Sequence, residues 1–283
     1  MKRMPVRAVP FFLFLLSFAL IAVPGRAQFL ASEIAEREGI EEFLATAGII
    51  KVEPIGVGVT KPFRVYLKKD DIERQAAWKN PQGIKEGFLE GWQYEIAAYR
   101  LDKLIGLHMV PPAVERELNG KRGALIYWAT AERSLLDVEE EGIKIPEDAL
   151  PLVDRMKYVT RAWDSLVANE DRTQQNVLYT KDWRTILIDH SRAFRSSGAF
   201  VERLMFGKNG IKKKAGDGSP FLFRRLPRPF VQAVKNLTYE SVKGAVGPYL
   251  EDKEVRAVLV RRDLLLKEIE EMVRRDGEGK VLY

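Results

Sequence analysis

The chain has 283 residues and a net charge of +6, with 46 Lys and Arg against 40 Asp and Glu. Its first 27 residues hold four of the basic residues and no acidic one, so the remainder carries a net charge of only +2. This small excess, with no DNA- or RNA-binding motif, predicts that nucleic acid is not a partner. Cysteine is absent, which excludes disulfides and cysteine-ligated metal sites.

The N-terminus has the three parts of a secretory signal peptide. Basic residues at the start are followed by an apolar run over positions 8–23, and Gly25 and Ala27 are the small residues that a signal peptidase reads. The run of about 16 residues is shorter than the roughly 20 needed to span a bilayer. Cleavage after Ala27 predicts a secreted or periplasmic protein; the alternative is that residues 1–27 remain as a membrane anchor. The remaining residues suffice for one large domain or two packed lobes.

The first half of the mature chain has mainly strand signals. Residues 31–47 are charged and helix-prone, and Gly56 to Thr60 form a glycine-containing turn. Strands 63–67 and 72–79 flank a polar turn and predict a hairpin. Apolar spacing from Tyr94 to Ile105 predicts a helix that ends near Gly106. Asn119-Gly120 predicts a second hairpin, between strands 114–118 and 124–129.

The second half is predominantly helical. An apolar stripe from Leu152 to Val167 predicts a helix that leads directly into the polar stretch 169–176. A small hairpin, 177–179 with 185–188, follows. Residues 207–220 lack periodicity and predict a mobile basic loop, and the chain finishes in a helix that stops near Gly277. A β-rich lobe followed by a helical lobe is typical of a kinase layout.

Three polar residues in the second half predict phosphoryl transfer. Asp171 precedes Asn176 by five positions, as the catalytic Asp and metal-binding Asn do in kinases. Asp189 follows a short apolar strand and provides a second oxygen ligand. The hypothesis is that Asp171 is the catalytic base and that Asn176 and Asp189 bind Mg²⁺ or Mn²⁺. For Asp171 alone, a solvated loop carboxylate is the competing interpretation.

Lys79 and Glu95 are the predicted ion pair of the nucleotide site. Lys79 ends an apolar strand, and Glu95 lies 16 residues later, in the first turns of the amphipathic helix. A strand Lys paired with a helix Glu binds the nucleotide phosphates in active kinases. The competing interpretation is that both are surface charges. If the pair forms, Lys79 and Glu95 should lie within salt-bridge reach and face a cleft that Asp189 also lines.

The remaining candidates are a glycine-containing turn, two histidines and a run of lysines. Gly56, Gly58 and Thr60, together with Lys79, are the predicted nucleotide-binding residues, because glycines let backbone amides approach phosphates; simple turns are the competing interpretation. His108 and His190 do not have zinc-ligand spacing, and His190 is expected to pack or cap the turn after Asp189. The lysines at 212–214 are expected to be solvated, with substrate docking as the alternative.

The sequence resembles the atypical kinases of the HipA, phosphatidylinositol-kinase and Golgi secretory-kinase type. The resemblance rests on Asn169-x-Asp-Arg-x-x-x-Asn176, on Ile188-Asp189-His and on the helix from Glu95 to Gly106 followed by Val110-Pro-Pro112. Asp189-His-Ser-Arg-Ala-Phe194 is similar to the Asp-Asn-Gly-Arg-x-Phe pattern of the Golgi group. The sequence departs from these families at Thr173, where His is usual, and at His190-Ser191, where Asn-Gly is usual.

The resemblance implies an α+β, two-lobed protein-kinase-like fold preceded by a signal peptide. The predicted divisions are residues 1–27 as the signal or anchor, 28–133 as the N-terminal lobe with its nucleotide-binding sheet and one helix, and 134–283 as the helical C-terminal lobe. It also implies Lys79, Glu95 and Asp171 as catalytic residues, with ATP as cofactor. The predicted function is an exported or membrane-anchored kinase acting on a hydroxyl of a protein or glycan. The alternatives are a pseudokinase that acts as a binding module and, with less support, a lipid kinase.

Overall fold

The computed structural model describes residues 28–56, 62–85, 87–214, 218 and 221–283. The predicted signal peptide therefore lies outside the described residues, as do Gly58 and Thr60. Within the described residues, no helix is long and apolar enough to cross a membrane. The predicted division at residue 133 stays a prediction.

The N-terminal part is built on a five-stranded antiparallel sheet with helices on both faces. The sheet order is β1-β2-β3-β7-β6. Two short strands, β4 and β5, form a separate hairpin between β3 and α2. The elements are α1 (Ala31–Thr46), β1 (Gly48–Pro54), β2 (Phe63–Lys69), β3 (Ile72–Lys79), β4 (Gln82–Lys85), β5 (Phe88–Gly91), α2 (Gln93–Ile105), β6 (Ala113–Leu118) and β7 (Lys121–Tyr127).

The C-terminal part is mainly helical and confirms the predicted mixed architecture. Its three-stranded sheet has the order β10-β9-β8. The elements are β8 (Arg133–Ser134), α3 (Leu135–Glu140), α4 (Leu150–Val167), a 3₁₀ turn (Gln174–Asn176), β9 (Val177–Tyr179), β10 (Thr185–Leu187), α5 (Ala199–Glu202), α6 (Arg228–Lys235), α7 (Tyr239–Val246), a second 3₁₀ turn (Gly247–Tyr249), α8 (Asp252–Asp276) and α9 (Glu278–Val281).

Side chains that alternate in direction along β7 place apolar residues on both faces of the five-stranded sheet (the upper sheet). Leu125 packs in a cluster with Phe43 and Leu44 of α1, whereas Ala124 and Ile126 belong to the large core shared with α2 and the C-terminal helices. Successive residues of a strand point to opposite faces. Lys79 pairs with Ala124 in register, so its side chain is directed to the α2 face, between the two lobes.

Two local backbone features fix the geometry of this sheet. Asn119 and Gly120 have φ of 53° and 73°, the left-handed conformation that the tight β6–β7 hairpin requires. A Cβ on Gly123 would lie 2.6 Å from the Lys79 carbonyl oxygen and 2.8 Å from the Trp78 ring. Glycine at 123 therefore permits the close approach of β7 to the end of β3.

Helix α1 and Gln28, just before it, contact both lobes. The Gln28 side chain pairs with the backbone of Thr185 in β10, at 2.8 Å and 2.7 Å. Arg184 forms a salt bridge with Glu33 of α1. Further along the helix, Arg37 donates to the carbonyl of Val110 in the segment between α2 and β6. Since α1 also packs on the upper sheet, it contacts both parts of the molecule.

Candidate active site

Lys79 joins two carboxylates from different parts of the chain. Its Nζ lies 3.0 Å from Oε1 of Glu95 and 3.1 Å from Oδ1 of Asp189. Lys79 and Glu95 are buried, whereas the Asp189 side chain is 32% exposed. The expected ion pair is therefore present, and Asp189 lies beside it on the side open to solvent.

The buried charges of this group depend on one another. Burial disfavours the Lys79 ammonium, but the carboxylates of Asp189 and Glu95 outweigh burial and raise its pKa. Burial also opposes ionisation of Asp189, yet Lys79 and the Ser191 hydroxyl lower its pKa to about 2. For Glu95, burial raises the pKa and Lys79 opposes that rise. Asp189 is thus an anion at neutral pH, as a metal ligand must be.

Backbone geometry sets the position of Asp189. It follows β10 in a left-handed conformation, with φ of 58°, which is uncommon outside glycine. The Ser191 Oγ donates to Asp189 Oδ1 at 3.0 Å, and the next backbone amide, that of His190, donates to Glu95 Oε2 at 3.0 Å. The turn is thereby held to α2, and Ser191, a departure from the resembled pattern, contacts the proposed metal carboxylate.

The loop 169–176 is organised by its own polar side chains. Asn169 Oδ1 accepts from the Asp171 amide at 3.2 Å, which sets the backbone at the proposed base. Asn176 lies at the end of the 3₁₀ turn, and its Nδ2 donates to the Asp171 carbonyl at 3.3 Å. Since the Asn176 amide nitrogen is used internally, its Oδ1 is the atom suited to a hard cation.

Behind this loop lies a buried network that the sequence did not predict. Arg172 makes a bidentate contact with Asp164 of α4, with Nε and a terminal nitrogen each 3.1 Å from a carboxylate oxygen. A second terminal nitrogen donates to the carbonyls of Asn176, at 3.0 Å, and Ile188, at 2.6 Å. Arg172 therefore ties both proposed metal-binding segments to α4. The available signal was Asp164, an acidic residue near the C-terminal end of α4, where the helix dipole disfavours negative charge.

His190 belongs to the same network. Its Nε2 lies 3.1 Å from Trp163 Nε1 and 3.0 Å from an Arg172 nitrogen, and both of those groups are donors. Nε2 must therefore be the unprotonated acceptor, which assigns the proton to Nδ1. Burial and the Arg172 cation lower the pKa of His190 well below its ordinary value. His190 packs as expected, directed into the core rather than towards the proposed metal ligands.

Asp171 is held at its carboxylate by a residue that the sequence analysis did not single out. A terminal nitrogen of Arg192 lies 3.0 Å from Asp171 Oδ2, and Arg192 also contacts Glu90 of β5. The Asp171 side chain remains 41% exposed. Arg192 lies within the resembled pattern around Asp189, but the β4–β5 hairpin that carries Glu90 was not predicted.

The residues brought together fit a divalent cation and a nucleotide. A carboxylate at Asp189 and an amide oxygen at Asn176 are hard donors, and nucleotide phosphates with water complete such a shell around Mg²⁺. The described residues contain no group of three or more His, Asp or Glu that could hold a metal by themselves. Gly56 lies at an exposed bend after β1. The role of Gly58 and Thr60 in binding phosphates stays a prediction.

No protein-family model and no curated protein matches this sequence. Solved structures do resemble it. A hydra Fam20 structure with sugar has a TM-score of 0.60 at 16% identity, covering 91% of this chain and 95% of that one. The Golgi casein kinase with Mn and ADP bound gives 0.58 at 17%, covering 88% and 78%. The Helicobacter pylori proinflammatory kinase CtkA gives 0.50 at 11%, covering 83% and 97%.

At these identities the likeness is one of fold. The chain has an atypical kinase-like fold, with a sheet lobe and a helical lobe, as the sequence predicts. The resemblance to HipA and to phosphatidylinositol kinases stays a prediction.

Proposed function

We propose that this protein is an atypical kinase that transfers the γ-phosphoryl group of ATP to a hydroxyl of a protein or glycan. The observation that carries the proposal is the buried Lys79 between Glu95 and Asp189, with Asp171 and Asn176 on the adjacent loop. Phosphoryl transfer needs positioned charges more than covalent chemistry. This group of residues supplies a cation for the phosphates, oxygen ligands for a metal and an accessible carboxylate.

Each residue has one role in the proposed reaction. Lys79, oriented by Glu95, binds the nucleotide phosphates. Asp189 and Asn176 would hold Mg²⁺ or Mn²⁺, which neutralises phosphate charge when bound. Asp171 orients the acceptor hydroxyl and takes its proton. The acceptor oxygen then bonds to the γ-phosphorus as the bond from that phosphorus to the β-phosphate oxygen breaks, which leaves ADP.

The test is labelled-phosphate transfer by the purified protein. Radiolabelled ATP with Mg²⁺ or Mn²⁺ would be the donor, and dephosphorylated casein the probe acceptor. Asp171→Asn and Asp189→Asn should abolish transfer, and Asp189→Asn should also weaken the thermal shift produced by the nucleotide with metal. Asp154→Asn, an exposed Asp on α4, is the matched control. Transfer that persists in both site variants would refute the assignment.

A pseudokinase is the second candidate. Thr173 and His190-Ser191 depart from the resembled pattern, which favours a protein that has kept the fold and lost transfer. It predicts unchanged biological function in Asp189→Asn and no phosphate transfer by the wild type. A lipid kinase is less favoured, since no feature beyond the shared loop indicates an inositol headgroup.

The proposed compartment is extracytoplasmic. The three-part N-terminus supports export, with membrane anchoring by residues 1–27 as the alternative. Finding protein that begins at Gln28 in an extracytoplasmic fraction would support cleavage. Full-length protein retained in the membrane fraction would support the anchor.

A further inference from the structure

The β4–β5 hairpin connects the two halves of the candidate active site. It leaves β3 directly after Lys79 and leads into α2 just before Glu95, so one short segment joins both members of the ion pair. Its base is closed by the Trp92 amide, which donates to the Pro81 carbonyl at 2.9 Å. The Gly91 amide donates to the Ser191 carbonyl, also at 2.9 Å, so the hairpin contacts the segment that follows Asp189.

A single arginine links this hairpin to the proposed base. Arg192 Nε and a terminal nitrogen contact Glu90 Oε1 at 2.7 Å and 2.6 Å, and the other terminal nitrogen contacts Asp171 Oδ2 at 3.0 Å. Phe88, also on β5, lies against the guanidinium, with the ring centroid 4.4 Å away. The Glu90 side chain is 1% exposed and that of Arg192 10%. The guanidinium is held by the buried Glu90 carboxylate, has the partly exposed Phe88 ring against it, and presents its remaining edge to Asp171.

We propose that Arg192 is a positioning residue for the base Asp171, and that Glu90 is its anchor. This inference rests on the proposed kinase function. Asp171 lies on a loop with 41% of its side chain exposed, and the buried Arg192 contacts its carboxylate at 3.0 Å. A planar guanidinium with fixed donor directions can orient a carboxylate in a way that a flexible ammonium cannot.

The test separates the placement of the base from nucleotide binding. Arg192→Lys keeps the charge and loses the fork, and Glu90→Gln removes the anchoring charge. Each should lower kcat for transfer from ATP to casein by about 10–100-fold, since small misplacements of reacting groups have effects of this size. KM for ATP and the thermal shift with ADP and Mn²⁺ should change by less than about 2-fold, because neither residue belongs to the proposed phosphate or metal site. The double variant should be no slower than the worse single variant, because the two residues act as one unit.

The matched control is a second arginine–glutamate pair, on the surface of the N-terminal lobe. Arg122 and Glu115 form a salt bridge, and the Arg122 side chain is 67% exposed. Arg122→Lys and Glu115→Gln should leave kcat unchanged. A further readout is chemical rescue: added guanidinium should restore part of the transfer lost in Arg192→Ala, which a general loss of packing would not allow.

Three contradicting outcomes can be told apart. Transfer that requires Asp171 but proceeds at the wild-type rate in Arg192→Lys and Glu90→Gln overturns the positioning role alone. Wild-type protein without Asp171-dependent transfer overturns the proposed function, and the positioning role with it. A parallel loss of kcat and of ADP binding would mean that the hairpin supports the whole cleft, which also overturns a specific role at the base.

Discussion

Two arginine–aspartate pairs each include one residue of the loop 169–176. Their N–O distances are nearly equal, but the solvent exposure of their side chains differs. Arg172 and Asp164 lie 3.1 Å apart with side chains 5% and 0% exposed. Arg192 and Asp171 lie 3.0 Å apart, with side chains 10% and 41% exposed. The Arg172–Asp164 pair, the inner pair, is buried, and its arginine donates to backbone carbonyls. In the Arg192–Asp171 pair, the outer pair, the carboxylate is accessible to a substrate. The same type of ion pair therefore stabilises the loop conformation in the inner pair and, we propose, positions the catalytic base in the outer pair.

The energetic cost of the two pairs should differ accordingly. An ion taken out of water loses its hydration and recovers that loss only through a partner with good geometry. Asp164 receives a bidentate contact, and a further bond from Asn169 at 3.3 Å. Burial nevertheless raises its pKa, with Arg172 opposing the rise. Asp171 keeps part of its hydration, so its removal should affect activity more than stability.

The largest expected effect is on the outer pair. Asp171→Asn should reduce phosphate transfer by about 10²–10⁴-fold, because the acceptor proton loses its base. The free energy of unfolding should change by less than about 1 kcal/mol, as is usual for partly exposed ion pairs. Steady-state kinetics and urea denaturation of the same preparation measure both. A loss of several kcal/mol in Asp171→Asn would show that the outer pair stabilises the fold as the inner pair does, contrary to this prediction.

The next effect is on the inner pair. Asp164→Asn leaves the Arg172 cation buried without its anion, and the free energy of unfolding should fall by about 3–5 kcal/mol. Asp154→Asn, on the same helix but in an exposed pair with Lys157, should cost less than about 1 kcal/mol. Urea denaturation followed by circular dichroism compares the two. Equal losses would show that burial does not distinguish them.

A third prediction concerns His190, where the resembled pattern has Asn. His190→Asn shortens the side chain and leaves the Trp163 and Arg172 donors unmatched, which should cost about 1–3 kcal/mol in the free energy of unfolding. Transfer per folded molecule should not rise, since His190 is directed into the core. If His190 is instead a substitution that impaired catalysis, His190→Asn should increase phosphate transfer. Measuring labelled-phosphate transfer by the wild type and by His190→Asn distinguishes the two interpretations.

The smallest effect concerns Asp102, a buried aspartate with a poorer partner. Its nearest cation, Arg37, is 4.0 Å away, and burial raises its pKa to about 7, against the opposing effects of Arg37 and of backbone amides such as that of Met109. Between about pH 4 and pH 7 the native state therefore binds more protons than the unfolded state, so stability should fall as pH rises. The decline should be about 1 kcal/mol per pH unit within this interval and should disappear in Asp102→Asn. Unfolding at several pH values tests this, with the exposed Asp148→Asn as control.

Periodic and turn signals in the sequence predicted much of the fold. The helix predicted from Tyr94 is α2, which ends at Gly106 in the left-handed conformation. The Asn119-Gly120 hairpin is also confirmed. By contrast, β4 and β5 have only four residues each and no alternation of polar and apolar side chains, so the hairpin gave no periodic signal.

The candidate site was predictable where its members lie at characteristic spacings. Lys79, Glu95, Asp171, Asn176 and Asp189 were proposed from the sequence, and the expected contact between Lys79 and Glu95 is present at 3.0 Å. Contacts such as those of Glu90 with Arg192 join residues 102 positions apart, and no local pattern encodes such a pairing. Asp164 gave a signal only as an acidic residue near the C-terminal end of a helix.

The contacts of Gln28 and α1 with both lobes have a consequence for thermodynamic linkage. Helix α1 packs on the five-stranded sheet, and Gln28, just before it, is bonded to β10, so this segment contacts both lobes. Where closure of the lobes around a ligand changes these contacts, the ligand shifts the docking equilibrium of α1, and docking of α1 changes the affinity for that ligand by the same factor. A partner that competes for Glu33 or Arg37 would act as an effector of the cleft without entering it.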